Sequence, residues 1–151
     1  NLGVLFWTPV IFILMGLTAD AVTSLSGGYN YFTTEIFQYI KPLSIFDKFA
    51  ALAPMAILYG LLNGFYEEFC FLGLLTCVED KYKWQALAYS TLVRISFHTY
   101  QGMLWATVIG VVFGLMYYFF YKYKVKNLLP FFLIHALADI FGSGFIYLIC
   151  A

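Results

Sequence analysis

The sequence has few charged residues for its length. Asp, Glu, Lys and Arg make up 11% of its 151 residues, whereas 63% are hydrophobic. Soluble domains carry about 25% charged residues, so this chain has too few charges to cover a water-exposed surface. Its formal net charge is zero, which argues against nucleic acid as a partner. The composition instead predicts an all-α fold, a polytopic transmembrane helix bundle.

Residues with distinctive chemistry are also scarce. The three cysteines have no metal-binding or redox spacing; they are Cys70, Cys77 and Cys150. No His-Glu-x-x-His motif occurs, so the spacing typical of zinc proteases is absent. The chain contains only two histidines, His98 and His135, and one arginine, Arg94. Any catalytic chemistry therefore has few candidate residues.

Five hydrophobic segments are separated by breakers and charged turns. We predict spans at Asn1–Ala19, Phe49–Val78, Trp84–Tyr100, Met103–Tyr121 and Leu128–Cys150, with a long connection over 20–48. Five lysines lie in the turns after the second and fourth spans, which places those turns in the cytoplasm. We treat 1–151 as a single transmembrane domain. The first span lacks the basic start of a signal peptide, and we expect the chain to be a fragment of a longer protein.

Six ionisable side chains interrupt the predicted spans; they are Glu67, Glu68, Arg94, His98, His135 and Asp139. A charge at the bilayer centre costs at least about 2.5–3.5 kcal/mol, so we expect these groups to face one another. Residues four apart share a helix face, which pairs His135 with Asp139 and Arg94 with His98. The adjacent glutamates point about 100° apart. One can therefore face a cavity while the other contacts a counter-ion.

The order of these residues resembles the CPBP intramembrane proteases, the CAAX-protease and bacteriocin-processing (Abi) family. The segment 67–73 is similar to the first motif, in which two glutamates are followed by three residues and an arginine. The segment 94–102 is similar to the second, histidine-bearing motif. The third motif, a histidine followed four residues later by asparagine or aspartate, is similar to His135–Asp139. The resemblance covers about residues 50–145.

The chain departs from the family's motifs at two positions. Leu72 occupies the arginine position of the first motif, and Arg94 stands four residues before the histidine of the second, where many members carry phenylalanine. We infer that Arg94 replaces the missing arginine and balances Glu68 from a neighbouring helix.

The resemblance implies an intramembrane endopeptidase in a bacterial cell membrane, with its site in the cytoplasmic half or near the midplane. It implies Glu67 as the general base, beside Glu68, and His98 as the residue that orients the attacking water. His135 and Asp139 would polarise the scissile carbonyl, with Asp139 fixing the imidazole. Substrates would be membrane-associated or lipidated proteins or peptides of the CAAX, bacteriocin-leader or pheromone type, in contact with membrane lipid.

The cofactor remains open at this stage. The family has been described both as a glutamate protease without metal and as a metalloprotease. A zinc ion would be bound by His98, His135, Glu67 and Asp139, since imidazole and carboxylate groups are zinc ligands.

Two other functions compete with the protease. A non-catalytic relative could act as a membrane scaffold, an immunity factor or a regulator of a sensor kinase, and the leucine in the motif favours it. A transporter or proton channel could use buried carboxylates and histidines as a relay. The absence of an inverted repeat argues against a transporter.

Overall fold

The computed structural model of the protein describes residues 2–26, 52–142 and 144–145. Within these ranges the chain is helical, with no strand. Apolar segments of this length form helices because a helix satisfies every backbone hydrogen bond within the segment. The all-helical fold predicted from composition is therefore confirmed for the described residues.

Five main helical segments follow one another in the described part of the chain. Helix α1 is Leu2–Ser26. Helix α2 comprises the α-helix Pro54–Glu68 and the π-helical turn Phe69–Leu74 that continues it. Helix α3 is Lys83–Phe97, α4 is Met103–Val125 and α5 is Leu129–Phe141. Short 3₁₀ turns, Asp80–Tyr82 and Thr99–Gln101, precede and follow α3.

The helix bounds correct the predicted spans at two places. Helix α1 continues to Ser26, beyond the predicted end at Ala19, and the rest of the predicted connection to residue 48 lies outside the described residues. Helix α5 ends at Phe141, before the predicted end of the span at Cys150, which lies outside the described residues. Gly142 has a φ of 81°, a backbone conformation that glycine adopts at low cost and that ends the helix.

Two of the described helices, α1 and α4, are long and apolar enough to cross a membrane, and α5 is a shorter apolar helix. At 1.5 Å per residue the 13 residues of α5 extend only about 20 Å. The lysine-bearing turns lie at one end of the bundle, because Lys122 Nζ is 3.6 Å from Asp80 Oδ1. This contact agrees with the prediction that the turns after the second and fourth spans lie on the same side of the membrane.

Helices α2 and α5 pack closely against each other, and glycines on α2 permit the approach. A Cβ atom at Gly64 would lie 2.8 Å from the carbonyl oxygen of Phe132 and 2.9 Å from the amide nitrogen of Ala136. At Gly60, a Cβ would lie 2.9 Å from a side-chain carbon of Ile140. The two backbones therefore nearly touch, and short side chains on α2 can reach α5.

Candidate active site

Glu68 and Arg94 form a buried ion pair between α2 and α3. Arg94 Nη1 donates to Glu68 Oε1 at 2.8 Å, and Nη2 donates to Oε2 at 2.9 Å. The Glu68 side chain is fully buried and the Arg94 side chain is 4% exposed. The guanidinium carbon also lies 4.9 Å from the centroid of the Phe71 ring, within cation–π range. The contact predicted between the only arginine and Glu68 is confirmed.

His135 on α5 is bound to the same glutamate. Its Nδ1 lies 2.7 Å from Glu68 Oε1, and since that carboxylate is paired with Arg94, we assign the nitrogen as the donor. Asp139 Oδ1 lies 3.7 Å from His135 Nε2, too far for a hydrogen bond. The expectation that Asp139 fixes the imidazole therefore needs correction. The hydrogen bond that orients the ring is the one that its Nδ1 donates to Glu68.

His98 directly follows the last residue of α3 and lies beside Glu67. Its Nδ1 lies 2.8 Å from the carbonyl oxygen of Arg94, one turn earlier. A carbonyl oxygen can only accept, so Nδ1 carries the hydrogen. The neutral imidazole then presents Nε2 as an acceptor, 3.6 Å from Glu67 Oε2.

Glu67 has one oxygen bound and one oxygen unpaired. Oε1 accepts a hydrogen bond from Asn63 at 3.1 Å. Oε2 is buried and has no hydrogen-bond partner among the described residues, although it faces His98 Nε2 at 3.6 Å and His135 Nε2 at 3.8 Å. Buried acceptors are paired in the great majority of cases. The unpaired carboxylate oxygen of Glu67 therefore lies near two imidazole nitrogens.

Asn63 is the site residue that was missed in the sequence. It lies one helical turn before Glu67, and its Nδ2 also donates to Asp139 Oδ2 on α5, at 2.9 Å. The available signal was a lone amide in an apolar segment, four residues before the first glutamate. That spacing places both side chains on one face of α2.

A cavity adjoins the cluster between α1, α3, α4 and α5. Its volume is about 60 Å³, enough for a few water molecules. The polar groups of its lining are Arg94, His98, Gln101, His135 and Asp139. The remaining lining residues are Met15, Trp105, Ile109, Phe113, Tyr117 and Ala138. Most of the cluster therefore borders a space that water can enter.

The donor atoms do not form a metal centre in the part of the chain that the structure describes. No group of three or more His, Cys, Asp or Glu side chains there is arranged to hold a metal ion. The hydrogen bonds that His98 and His135 make through Nδ1 leave both Nε2 atoms facing Glu67 Oε2. The arrangement of the described residues therefore does not support the zinc set considered from sequence, His98, His135, Glu67 and Asp139.

All six ionisable residues predicted to face one another do so. The two glutamates come from α2, Arg94 and His98 from the end of α3, and His135 and Asp139 from α5. The distances above join them into one network in which each member lies within 4 Å of another. The structure thus supports the expectation that these six side chains, placed on particular helix faces, meet at one site.

Comparison with known proteins identifies the family. Searches among curated proteins and among solved structures return no match. The type II CAAX prenyl endopeptidase Rce1-like family matches residues 49–141, more than half of the chain and all of the cluster just described. The match agrees with the CPBP resemblance, and with two spanning-length apolar helices it identifies an integral membrane protein. The chain belongs to the type II CAAX prenyl endopeptidase Rce1-like family.

Proposed function

We propose that this protein is an intramembrane endopeptidase that hydrolyses peptide bonds of membrane-associated or lipidated substrates. The observation that carries the proposal is the unpaired Oε2 of Glu67, buried and directed at the Nε2 atoms of His98 and His135. A carboxylate held in this way can take a proton from water, which is the role of a general base.

The attacking water would be held by Glu67 and His98. With Nδ1 of His98 donating to a backbone carbonyl, both Nε2 and Glu67 Oε2 are acceptors, 3.6 Å apart. A water molecule beside this pair can donate one O–H to each. As its oxygen attacks the scissile carbon, Glu67 takes the proton and later delivers it to the leaving amine nitrogen, so the base is regenerated.

His135 would polarise the scissile carbonyl. Glu68 accepts from its Nδ1, and Glu67 and Asp139 lie within 4 Å of its Nε2. Carboxylates so close stabilise an imidazolium, whose Nε2–H can donate to the developing oxyanion. Asp139 would hold that charge at the site, and Arg94 would keep Glu68 ionised and fixed.

The membrane placement follows from the same proposal. We place about five spans in this chain, with the lysine-bearing turns in the cytoplasm of a bacterial cell and the site in the cytoplasmic half or near the midplane. The family description supports CAAX-type prenylated peptides as substrates, and bacteriocin leaders or pheromone precursors are the related candidates.

The test is peptide cleavage by the full chain in lipid nanodiscs, with quenched fluorescent peptides that include farnesylated CAAX sequences. We expect Glu67→Gln to lower the cleavage rate by about 100- to 10,000-fold, the usual contribution of a general base. The matched control is Glu79→Gln, because Glu79 is an exposed carboxylate that contacts only Lys81 among the ion pairs of the described residues.

The outcome separates the protease from the other two functions. Equal cleavage by wild type and Glu67→Gln would show that this glutamate is not the base. Absence of cleavage of every peptide by the folded wild type would favour the scaffold or regulator. Proton flux through liposomes containing the protein, lost in Glu67→Gln, would favour the channel.

A further inference from the structure

The Asn63 amide joins the carboxylates of Glu67 and Asp139. Its Nδ2 donates to Glu67 Oε1 on its own helix at 3.1 Å and to Asp139 Oδ2 on α5 at 2.9 Å. A primary amide nitrogen carries two hydrogens, so one Nδ2–H is available for each carboxylate. Neither the family's motifs nor the ionisable residues of the sequence include this position.

The two carboxylates need such a donor. The side chains of Glu67 and Asp139 are 8% and 21% exposed, and like charges at short range in a poorly solvated site repel each other. A neutral amide between them supplies a hydrogen bond to each without adding charge. It also leaves His98 and His135 as the only charged or chargeable groups that face Glu67 Oε2 within 4 Å among the described residues.

Asn63 also determines which way the Glu67 carboxylate points. Among the described residues Asn63 binds Oε1, whereas Oε2 has no hydrogen bond. Because the carboxylate is planar, holding Oε1 toward Asn63 turns Oε2 toward the imidazoles. Without the amide, the Glu67 side chain has no hydrogen bond in this part of the chain to select its rotamer.

The approach of α2 and α5 allows a side chain as short as asparagine to make the bridge. Gly64 follows Asn63 directly, and a Cβ there would lie within 3 Å of backbone atoms of α5. The amide therefore bridges α2 and α5 next to a point where their backbones approach closely.

We propose that Asn63 is a positioning residue of the active site, whose amide clamps Glu67 to Asp139 and so holds the free Glu67 oxygen toward the two imidazoles. This inference rests on the proposed endopeptidase function. It assigns no contact with substrate to Asn63, which acts through Glu67.

The kinetic test uses three substitutions at Asn63 in the full chain in nanodiscs. Asn63→Leu keeps the size and removes the donor, Asn63→Asp keeps the shape and adds a third carboxylate, and Asn63→Gln keeps the NH₂ group. We expect Asn63→Leu to lower kcat by about 10- to 100-fold, the loss for one hydrogen bond to a charged group. KM should stay within about threefold, because no substrate contact is removed.

The kcat of Asn63→Asp should be lower than that of Asn63→Leu, because the new carboxylate removes the donor and also repels Glu67 and Asp139. The kcat of Asn63→Gln should be at least about tenfold higher than that of Asn63→Leu, because the NH₂ group is kept. Ser90→Ala is the matched structural control. It removes another buried hydrogen bond between helices, from Ser90 Oγ to the Phe71 carbonyl oxygen at 2.7 Å. Its melting temperature should fall while its kcat stays within about twofold of wild type, since the control does not touch Glu67.

A spectroscopic arm tests the bridge without turnover. The sequence contains four asparagines, so ¹⁵N-asparagine labelling gives few side-chain amide signals, and Asn63→Leu assigns one pair. We expect Glu67→Ala and Asp139→Ala each to change the chemical shifts of this pair of signals. Each variant should mainly affect the hydrogen that was bound to the carboxylate it removes. Unchanged signals in both variants would overturn the bridge.

The kinetic outcomes distinguish the two proposals. If wild type cleaves peptides and Asn63→Leu keeps its kcat, or loses only as much as Ser90→Ala, positioning by Asn63 is refuted while the endopeptidase stands. If wild type cleaves no peptide, the endopeptidase is refuted and the positioning role with it, whatever the amide signals show.

Discussion

Glu67 and Glu68 are neighbours on α2, but the two carboxylates have very different surroundings. Both oxygens of Glu68 are bound by Arg94, and Oε1 is bound by His135 as well. Glu67 receives a hydrogen bond on one oxygen and has the other unpaired among the described residues. One glutamate is therefore a fixed charge that organises its neighbours, and the other keeps an oxygen available for a proton.

The difference arises from helix geometry and from what the other helices supply. Successive side chains on a helix point about 100° apart, so the two glutamates meet different neighbours. Arg94 brings five donors in a rigid fork to Glu68, whereas Glu67 meets one amide and two imidazole nitrogens. A buried charge is stable only when paired, and the pair at Glu68 anchors the cluster in which Glu67 acts.

The largest expected effect comes from neutralising each glutamate in turn. Glu68→Gln leaves the Arg94 charge buried without its partner, which should cost about 3–5 kcal/mol of unfolding free energy. Glu67→Gln removes a charge that has no opposite partner at hydrogen-bond distance, so stability should change by less than about 1 kcal/mol. Denaturation in nanodiscs, followed by tryptophan fluorescence, measures both; equal losses would contradict the division of roles.

A second experiment tests whether the arginine that pairs with Glu68 must lie on α3. Leu72 and Arg94 line the same small cavity, and Leu72 lies four residues after Glu68. Arg94→Leu should cost about 3–5 kcal/mol by unpairing Glu68. Adding Leu72→Arg places a guanidinium within reach from α2 itself.

The double variant Leu72→Arg/Arg94→Leu should regain at least about half of that loss, together with part of the cleavage rate. Leu72→Arg alone is the control, because it adds a second buried cation and should destabilise. A double variant no better than Arg94→Leu would show that the arginine position on α3 cannot be exchanged for the motif position.

The ion pair was predictable from the sequence, but the amide bridge was not. A buried glutamate pair in a chain with one arginine leaves one choice of counter-ion, and charge balance identifies Arg94. Asn63 carries no charge that demands a partner, and its contact with Asp139 depends on how closely α2 approaches α5. The sequence shows Gly60 and Gly64 but does not show which helix they face.

The end of α5 was missed for a related reason. The apolar run continues beyond Phe141 to Cys150, so hydrophobicity alone extends the predicted span. Gly142 adopts a positive φ and ends the helix, but a single glycine within an apolar run is compatible with both a helix and a break. Composition predicts the segment and tertiary packing decides where it stops.

A smaller effect should follow from pushing α2 away from α5. Gly64→Ala puts a Cβ within 3 Å of backbone atoms of Phe132 and Ala136, which cannot rotate away. We expect a loss of about 1–3 kcal/mol, typical of overpacking. The cleavage rate should fall as well, because Asn63 and Glu67 move away from α5.

Gly114→Ala is the matched control for this substitution. A Cβ there would lie 3.6 Å from its nearest neighbours, an ordinary contact, and the added methyl favours the helix by up to about 1 kcal/mol. Gly114→Ala should therefore keep both stability and cleavage rate. If Gly64→Ala is as active as Gly114→Ala, close contact between α2 and α5 is not required for catalysis.

The smallest expected effect is that of a chelator on the cleavage rate. It tests what lies opposite the unpaired oxygen of Glu67, the glutamate whose surroundings differ from those of Glu68. The imidazole Nε2 atoms of His98 and His135 face Glu67 Oε2 at 3.6 and 3.8 Å, and we assign to this space the attacking water. Because no set of three ligating side chains is arranged for a metal among the described residues, treatment with 1,10-phenanthroline should leave the cleavage rate within about twofold of the untreated enzyme. The inactive analogue 1,7-phenanthroline is the control for nonspecific effects of the ring. Loss of activity with the chelator alone, restored by added zinc, would mean that Glu67 acts as a metal ligand and would place a charge, not a water, opposite its free oxygen.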